Sequence, residues 1–271
     1  MPIHLMEGDT FKFSCYKGIK CFTACCSDTN IILGPFDILR LKQRLGLSST
    51  EFLAKYTTPD FIKDTDLPVA RLKMQDDGSQ RCVFVTGEGC TIYGDRPSAC
   101  RYYAIGKGTM HKTGLEGNPD ESFYFVVKEP HCFGHEEDKT WTVAEWRKDQ
   151  GVELYDEMNR GWEELILKKK SLGFQVSMSE ETQQIFFMIT SDVDRFRIFV
   201  LESSFLHRYD VDPETVEKIK TDDIELYRLG FKWLRTILYN EKLIPLKPGV
   251  IESYAKRMAA KPPPSDEWEG S

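Results

Sequence analysis

The sequence predicts an α+β fold: a small, loop-rich cysteine module that binds metal or an iron–sulfur group, followed by a mainly helical region. Three observations predict it. All eight cysteines, Cys15, Cys21, Cys25, Cys26, Cys82, Cys90, Cys100 and Cys132, fall in the first half of the 271 residues. Short apolar runs separated by glycine turns occupy that same half. Beyond about residue 140, apolar residues recur at helical spacing behind N-cap signals. The expected organisation is a module over 1–140, a helical region over 141–258 and a disordered tail over 259–271. The tail is introduced by Lys261-Pro262-Pro263-Pro264-Ser265.

The elements follow in order. Residues 10–34 form a cysteine-rich, irregular segment. Pro35 opens a helix with Phe36, Ile38, Leu39, Leu41 and Leu45 on its apolar side, and Gly46 stands just past its end. Ser48 and Glu51 form a capping box for a second short helix that carries Phe52, Leu53 and Tyr56. The two helices are expected to pack over the cysteine segment. Leu67 to Met74 reads as a strand, Asp77-Gly78 as a turn and Cys82 to Val85 as the return strand. Gly87-Glu88-Gly89 turns into Cys90 to Tyr93, and Phe123 to Val127 is a further strand. The stretch 104–121 between them reads as a loop.

The second half is helical throughout. Thr142 and Glu145 make another capping box, for a helix running to about Lys170. Ser177 to Glu180 opens the next helix, and Val193 to His207 continues in the same pattern. Asp212-Pro213 caps a short helix. Ile224 to Tyr239 forms another, with Phe231 and Trp233 read as core.

Composition narrows the function. The formal net charge is −7, so a broad nucleic-acid surface is not expected. No apolar run approaches the roughly 20 residues needed to cross a bilayer. Met1 to Asp9 contains neither a basic nor an apolar targeting segment, and a cytoplasmic location is expected. Thiols stay reduced there, so eight cysteines point to metal ligation. The alternative, an even-numbered disulfide framework, belongs to small secreted domains.

The spacing bears on the kind of metal. The gaps between successive cysteines are 5, 3, 0, 55, 7, 9 and 31 residues. Structural zinc favours paired short knuckles, and only Cys21/Cys25 has that spacing. Iron–sulfur clusters accept looser spacings and take four thiolates each. The expected cofactor is therefore one or two [4Fe–4S] clusters, with zinc as the alternative. Adjacent residues such as Cys25 and Cys26 point apart in most backbones. Two sites of four thiolates, or one site plus other thiols, both fit the count. His111, His131 and His135 lie nearby and read as surface loop residues. Arg96 and Arg101 flank Cys100 and are candidate cofactor-binding residues, placed to offset the negative charge of a thiolate site. A structural ion pair, for instance with Asp95, is the other reading. Tyr93, Tyr102 and Tyr103 are expected to pack around the site.

A resemblance then emerges. Cys15-x5-Cys21-x3-Cys25-Cys26 resembles the opening of the YkgJ-type cysteine-cluster family, a zinc- or iron-chelating domain with a CxxCxxCC pattern. Phe36 to Ser48 and Glu51 to Tyr56 resemble its following helices. Cys82-Val83-Phe84 and then Cys90-Thr91-Ile92-Tyr93-x2-Arg96-Pro97-x2-Cys100-Arg101 are similar to its most specific string. His131-Cys132-Phe133-Gly134 sits where many members carry Cys-Pro-Gly. The resemblance spans about residues 11–150, and the first cysteine gaps are wider than the family pattern. It implies a protein holding metal or cluster centres for electron transfer, metal or cluster handling, or fold stabilisation. Flagellin lysine N-methylases share a similar motif, so cluster-assisted methyl transfer is an alternative; no catalytic residue is assigned, and the residues favour binding over catalysis. A third reading is a zinc-stabilised interaction protein whose helical half binds a protein partner.

Overall fold

The computed structural model describes residues 4–111, 120–172 and 177–252. The chain divides into two compact units, Met1–Asp194 and Arg195–Ser271. The edge expected near residue 140 lies inside the first unit, because three helices after that point pack within it. The tail expected over 259–271 lies outside the described residues.

The first unit opens with β1 (Thr10–Lys12), which pairs antiparallel with β9 (Thr140–Thr142). A small sheet of order β2-β4-β3 follows, built from Ile32–Leu33, Pro68–Leu72 and Thr57–Phe61. Between β2 and β3 stand α1 (Pro35–Leu45) and α2 (Ser49–Tyr56). Proline at the first position and Gly46 at φ 65° bound α1 as expected. Ser48 and Glu51 form the capping box of α2. Ile38 and Leu41 of α1 and Phe52 of α2 are fully buried against Leu33, Ala70, Leu72, Phe84 and Ile92.

The stretch Cys82 to Val85 is not the return strand of β4. The sheet order already pairs β4 on both edges, which leaves only a single bridge between Met74 and Cys82. Val85–Thr86 (β5) pairs instead with Gly89–Cys90 (β6) through the glycine turn. Next come α3 (Ser98–Tyr102) and the hairpin of β7 (Ile105–His111) with β8 (Asp120–Val126). β7 occupies part of the stretch expected to be loop. Gly106 and Gly108 weaken its strand signal, yet they stand opposite Phe125 and Phe123, whose rings lie over them. Residues 112–119 lie outside the described ones.

The helix expected from Thr142 to Lys170 is two helices. Gly151, at φ 64°, ends α4 (Val143–Gln150), and α5 (Val152–Leu172) begins directly after. α5 carries the buried Asn159, whose amide oxygen accepts from Phe36 N–H at 2.9 Å. α6 (Glu180–Ser191) packs on β4. A second apolar cluster joins Phe11, Phe13, Tyr102, Ile105, Tyr124, Val143 and Trp146.

Helix α7 (Val193–Glu202) leads into the second unit, which holds α8 (Phe205–Arg208), α9 (Pro213–Lys218) and α10 (Asp223–Tyr239). The single helix expected over Val193 to His207 is interrupted at Ser203-Ser204. Trp233 centres this unit's core, with Phe199 at 5.6 Å and Phe205 at 4.9 Å between ring centroids. Phe231 is buried as well, so both aromatics are core residues. Among the described residues no helix is long and apolar enough to cross a membrane.

Candidate metal centre

Each cysteine is delivered by a short, separately anchored segment. Cys15 follows β1 as the chain turns outward; before it, Ser14 N–H donates to Gly134 O at 2.9 Å. Cys25 and Cys26 sit in a 3-10 turn, Ala24–Cys26, entered through Thr23 at φ 65°. The Cys82 N–H donates to Cys26 O at 2.7 Å, which ties the two halves of the motif together. Cys90 ends β6, Cys100 lies in the middle of α3, and Cys132 precedes a 3-10 turn, Phe133–Glu136.

These segments bring all eight thiols to one cavity of about 190 Å³. Its lining is mainly apolar, with Phe13, Ile31, Leu72, Val85, Ile92 and Trp146 beside the cysteines and Arg96, His131 and Gln150 among its polar members. All eight cysteines are free thiols. Among the described residues no three Cys, His, Asp or Glu side chains stand together closely enough to chelate one ion as placed. The thiols ring a shared space instead.

The thiols influence one another as a connected group, with Cys25 coupled both to Cys15 and to Cys90 and Cys100. The Cys15 residue is exposed, but its thiol lines the cavity and is pushed up to about 11. Burial contributes most, then the charges of Cys25, Cys21 and Cys132. The Cys100 thiol is pushed up to about 12, by burial first and then by Cys82, Asp37, Cys90 and Cys25. Cys82 and Cys90 are raised chiefly by burial, and Cys82 also feels Cys90. The thiol of Cys25 is raised well above the ordinary value by its hydrogen bond with Cys26, by burial and by the Cys26 charge. Cys82, Cys90 and Cys100 pack against the apolar cluster around Phe52 and Phe84. Cys132 packs against the one around Phe13 and Trp146.

Backbone donors already point at several sulfurs. Phe133 N–H donates to Cys21 Sγ at 3.2 Å. The backbone at Phe84 and Ile92 lowers the Cys82 and Cys90 thiols against the upward push of burial. Such second-neighbour N–H groups stabilise thiolate ligands in metal sites. The donor set therefore fits a thiolate-ligated metal or cluster: eight soft ligands, apolar walls and preplaced N–H groups.

Arg96 lines the cavity and lowers the Cys90 thiol by its charge. Its guanidinium stacks 3.9 Å over the Tyr93 ring, donates to Tyr93 O at 2.6 Å and reaches the Gln150 amide oxygen. Arg101 is not among the cavity-lining residues. Its donors go to Arg96 O at 3.0 Å, Gln150 O at 2.7 Å, Tyr155 Oη at 3.1 Å and Gly94 O. It thus fastens the Cys100 turn to the start of α5. Asp95 pairs with Arg40 rather than with either of these arginines.

Tyr93 and Tyr103 line the cavity, whereas Tyr102 is buried in the second apolar cluster and donates to Asp156 at 2.6 Å. Three further residues support the site: Tyr103, expected around it; His131, read from sequence as a surface loop residue; and Asp37, which the sequence did not single out. Tyr103 Oη donates to Glu129 at 2.9 Å and hydrogen-bonds Cys132. His131 lines the cavity and lies 3.3 Å from Glu129. The buried Asp37 takes Ser98 N–H and Oγ–H at 2.8 and 2.7 Å and so anchors the helix that carries Cys100. His135 spends both ring nitrogens on backbone oxygens, at Lys12 and Val127.

No curated protein and no solved structure matches the chain significantly. Residues 14–132, which hold all eight cysteines, match the CxxCxxCC family, described as "Putative zinc- or iron-chelating domain". That match covers less than half of the chain but all eight of its cysteines, and metal binding through them is the role that this similarity and the cysteine-lined cavity together support.

Proposed function

We propose that the domain holds two neighbouring four-thiolate iron–sulfur centres, used for electron transfer or cluster handling in a reducing compartment. The observation that carries this reading is the convergence of eight sulfurs on one cavity. Cys15, Cys21, Cys25 and Cys132 form an outer set, because the first is charge-coupled to the other three. Cys82, Cys90 and Cys100 form an inner set. Cys25 is coupled to both sets; Cys26, whose carbonyl accepts the Cys82 N–H, is assigned to the inner one. Adjacent Cys25 and Cys26 then each serve a different centre.

Ligand spacing favours a cluster over single ions. Four thiolates around zinc at about 2.3 Å crowd within about 4 Å of one another. A cluster interposes iron and sulfide and holds its ligands farther apart. The ring of thiols around an open cavity suits the second arrangement. When bound, such a cluster supplies one-electron chemistry. The chain's residues do the rest. The apolar side chains lining the cavity limit access of water, the Phe133 N–H faces the Cys21 sulfur, the backbone at Phe84 and Ile92 favours the Cys82 and Cys90 thiolates, and Arg96 offsets negative charge beside Cys90.

Anaerobic purification followed by iron, zinc and acid-labile sulfide analysis tests this. The expected result is iron and sulfide in equal amounts with a visible absorption that dithionite bleaches. A colourless protein carrying zinc and no sulfide refutes the iron–sulfur assignment and leaves the zinc reading.

A further inference from the structure

The two thiol sets differ in how the protein surrounds them. Cys15 is the exposed member of the eight, and it stands in a run, Cys15 to Gly18, in which every residue is exposed. Tyr16 beside it is 49% exposed, and Phe133, next to Cys132, is 39% exposed. Around Cys15 the chain is held by backbone bonds of Phe13 to Lys139 and Ser14 to Gly134, while Cys132 packs at the edge of the Phe13–Trp146 cluster. The inner set is embedded. Cys82, Cys90 and Cys100 pack against a cluster whose members Ile38, Leu41, Phe52 and Ala70 have no exposed surface. Asp37 and Arg101 fix the α3 segment at both ends through hydrogen bonds within the core.

We infer that the outer set, entered at Cys15, is an exchange site that takes up and gives away its metal or cluster, while the inner set retains its own. This rests on the two-centre reading above and goes beyond it by giving the centres different roles. The ligand class that drives exchange is a thiol. Attack on a metal–thiolate bond needs an approach path for the incoming sulfur, and of the eight cysteines Cys15 is the exposed one. In the step, the incoming thiol loses its proton as its sulfur binds the metal. The metal–Cys15 bond breaks, and the departing Cys15 thiolate takes up a proton. No electron moves and the proton count is unchanged. The inner set offers no such path, because freeing one of its sulfurs requires opening the apolar cluster, which costs folding free energy.

The test uses the full chain, reduced, stripped of metal and reloaded anaerobically with zinc alone. Release is then followed with a coloured zinc chelator, with and without added glutathione. The expected result is two zinc ions per chain leaving in two phases of equal size. The fast phase is accelerated by glutathione and is at least about tenfold quicker than the slow one, the low end of what ligand surroundings do to metal affinity. Cys15→Ser removes the fast phase and leaves one slowly released zinc. Two ions leaving in a single phase overturn the inference and leave the two-centre reading standing. One ion bound per chain also overturns the inference, and the iron and sulfide count of the anaerobically purified protein then decides the two-centre reading separately. If Cys15→Ser fails to fold, the wild-type phases still decide the matter.

Discussion

Single residues in this domain act on the thiols at second hand, and Asp37 shows how. It is the third residue of α1, where it accepts Gly34 N–H at 2.8 Å and so caps its own helix. The same carboxylate caps the start of α3 through Ser98. Burial pushes the Asp37 carboxyl upward while Ser98, Gly34 and the Arg101 charge pull it down. One side chain thus ties the first helix to the helix of Cys100. Replacing it by Ala leaves three buried donors without an acceptor, and charged hydrogen bonds of this kind contribute about 1.5–3 kcal/mol each before relaxation. Asp37→Ala is expected to lower stability by about 2–4 kcal/mol, measured by urea unfolding, and to reduce bound metal. Unchanged stability would show that Ser98 finds another partner. Arg101 predicts a different pattern. Its fork serves four acceptors and stacks 4.3 Å over Tyr155, a geometry that a lysine ammonium does not reproduce. Arg101→Lys should cost about 2–3 kcal/mol yet leave metal stoichiometry intact in the protein that folds. Loss of metal without loss of stability would instead place Arg101 at the sulfurs, as its position next to Cys100 first implied.

At the scale of elements, the site depends on short segments held edge to edge, and Gly134 is where two of them come closest. A Cβ there would meet the Phe13 ring at 2.6 Å and Ser14 O at 2.8 Å, and the second contact is backbone that cannot rotate away. Gly134→Ala must therefore push the strand leading to Cys15 away from the turn that follows Cys132. The expected cost is about 1–3 kcal/mol, as for other forced insertions into packed regions. The specific readout is loss of the outer centre's metal with the inner centre's retained, counted by elemental analysis; retention of both would mean that the outer ligands tolerate the shift. The helices were legible in sequence because their signals are local. Pro35 with Gly46, Ser48 with Glu51 and Thr142 with Glu145 all mark real boundaries. The cysteines and the Arg96-Pro97-x2-Cys100-Arg101 string were legible for the same reason. What escaped is what depends on distant partners. β7 hides behind two glycines that make sense only against Phe123 and Phe125. Cys82 to Val85 reads as a strand by composition but finds both edges of β4 taken. Asp37 and His131, the latter read from sequence as a surface loop residue, take up roles at the site that appear only when residues far apart in sequence are brought together.

Taken as a whole molecule, the metal-free domain favours the protonated form of Cys15, Cys25, Cys82, Cys90 and Cys100, and this couples stability to pH. The ordinary thiol value is 9.0, and folding raises Cys15 to about 11 and Cys100 to about 12. Between those limits the folded chain binds protons that the unfolded chain has released, so stability falls as pH rises. The contribution is fully present below pH 9 and is lost progressively from about 9 to 12. Metal reverses the dependence. Binding requires thiolates, so at neutral pH each raised thiol must surrender a proton as its sulfur binds, and affinity climbs with pH. The metal-free protein should thus melt at progressively lower temperature as pH is raised above 9, while the loaded protein holds its melting temperature over the same range. Calorimetry of both forms from pH 7 to about 10.5 checks this, with proton release on zinc addition measured in parallel in weak buffer. Release of several protons per zinc at pH 7 is expected. Uptake without proton release would mean that the thiols are already ionised in the folded chain, and the burial of Cys100 among apolar side chains argues directly against that.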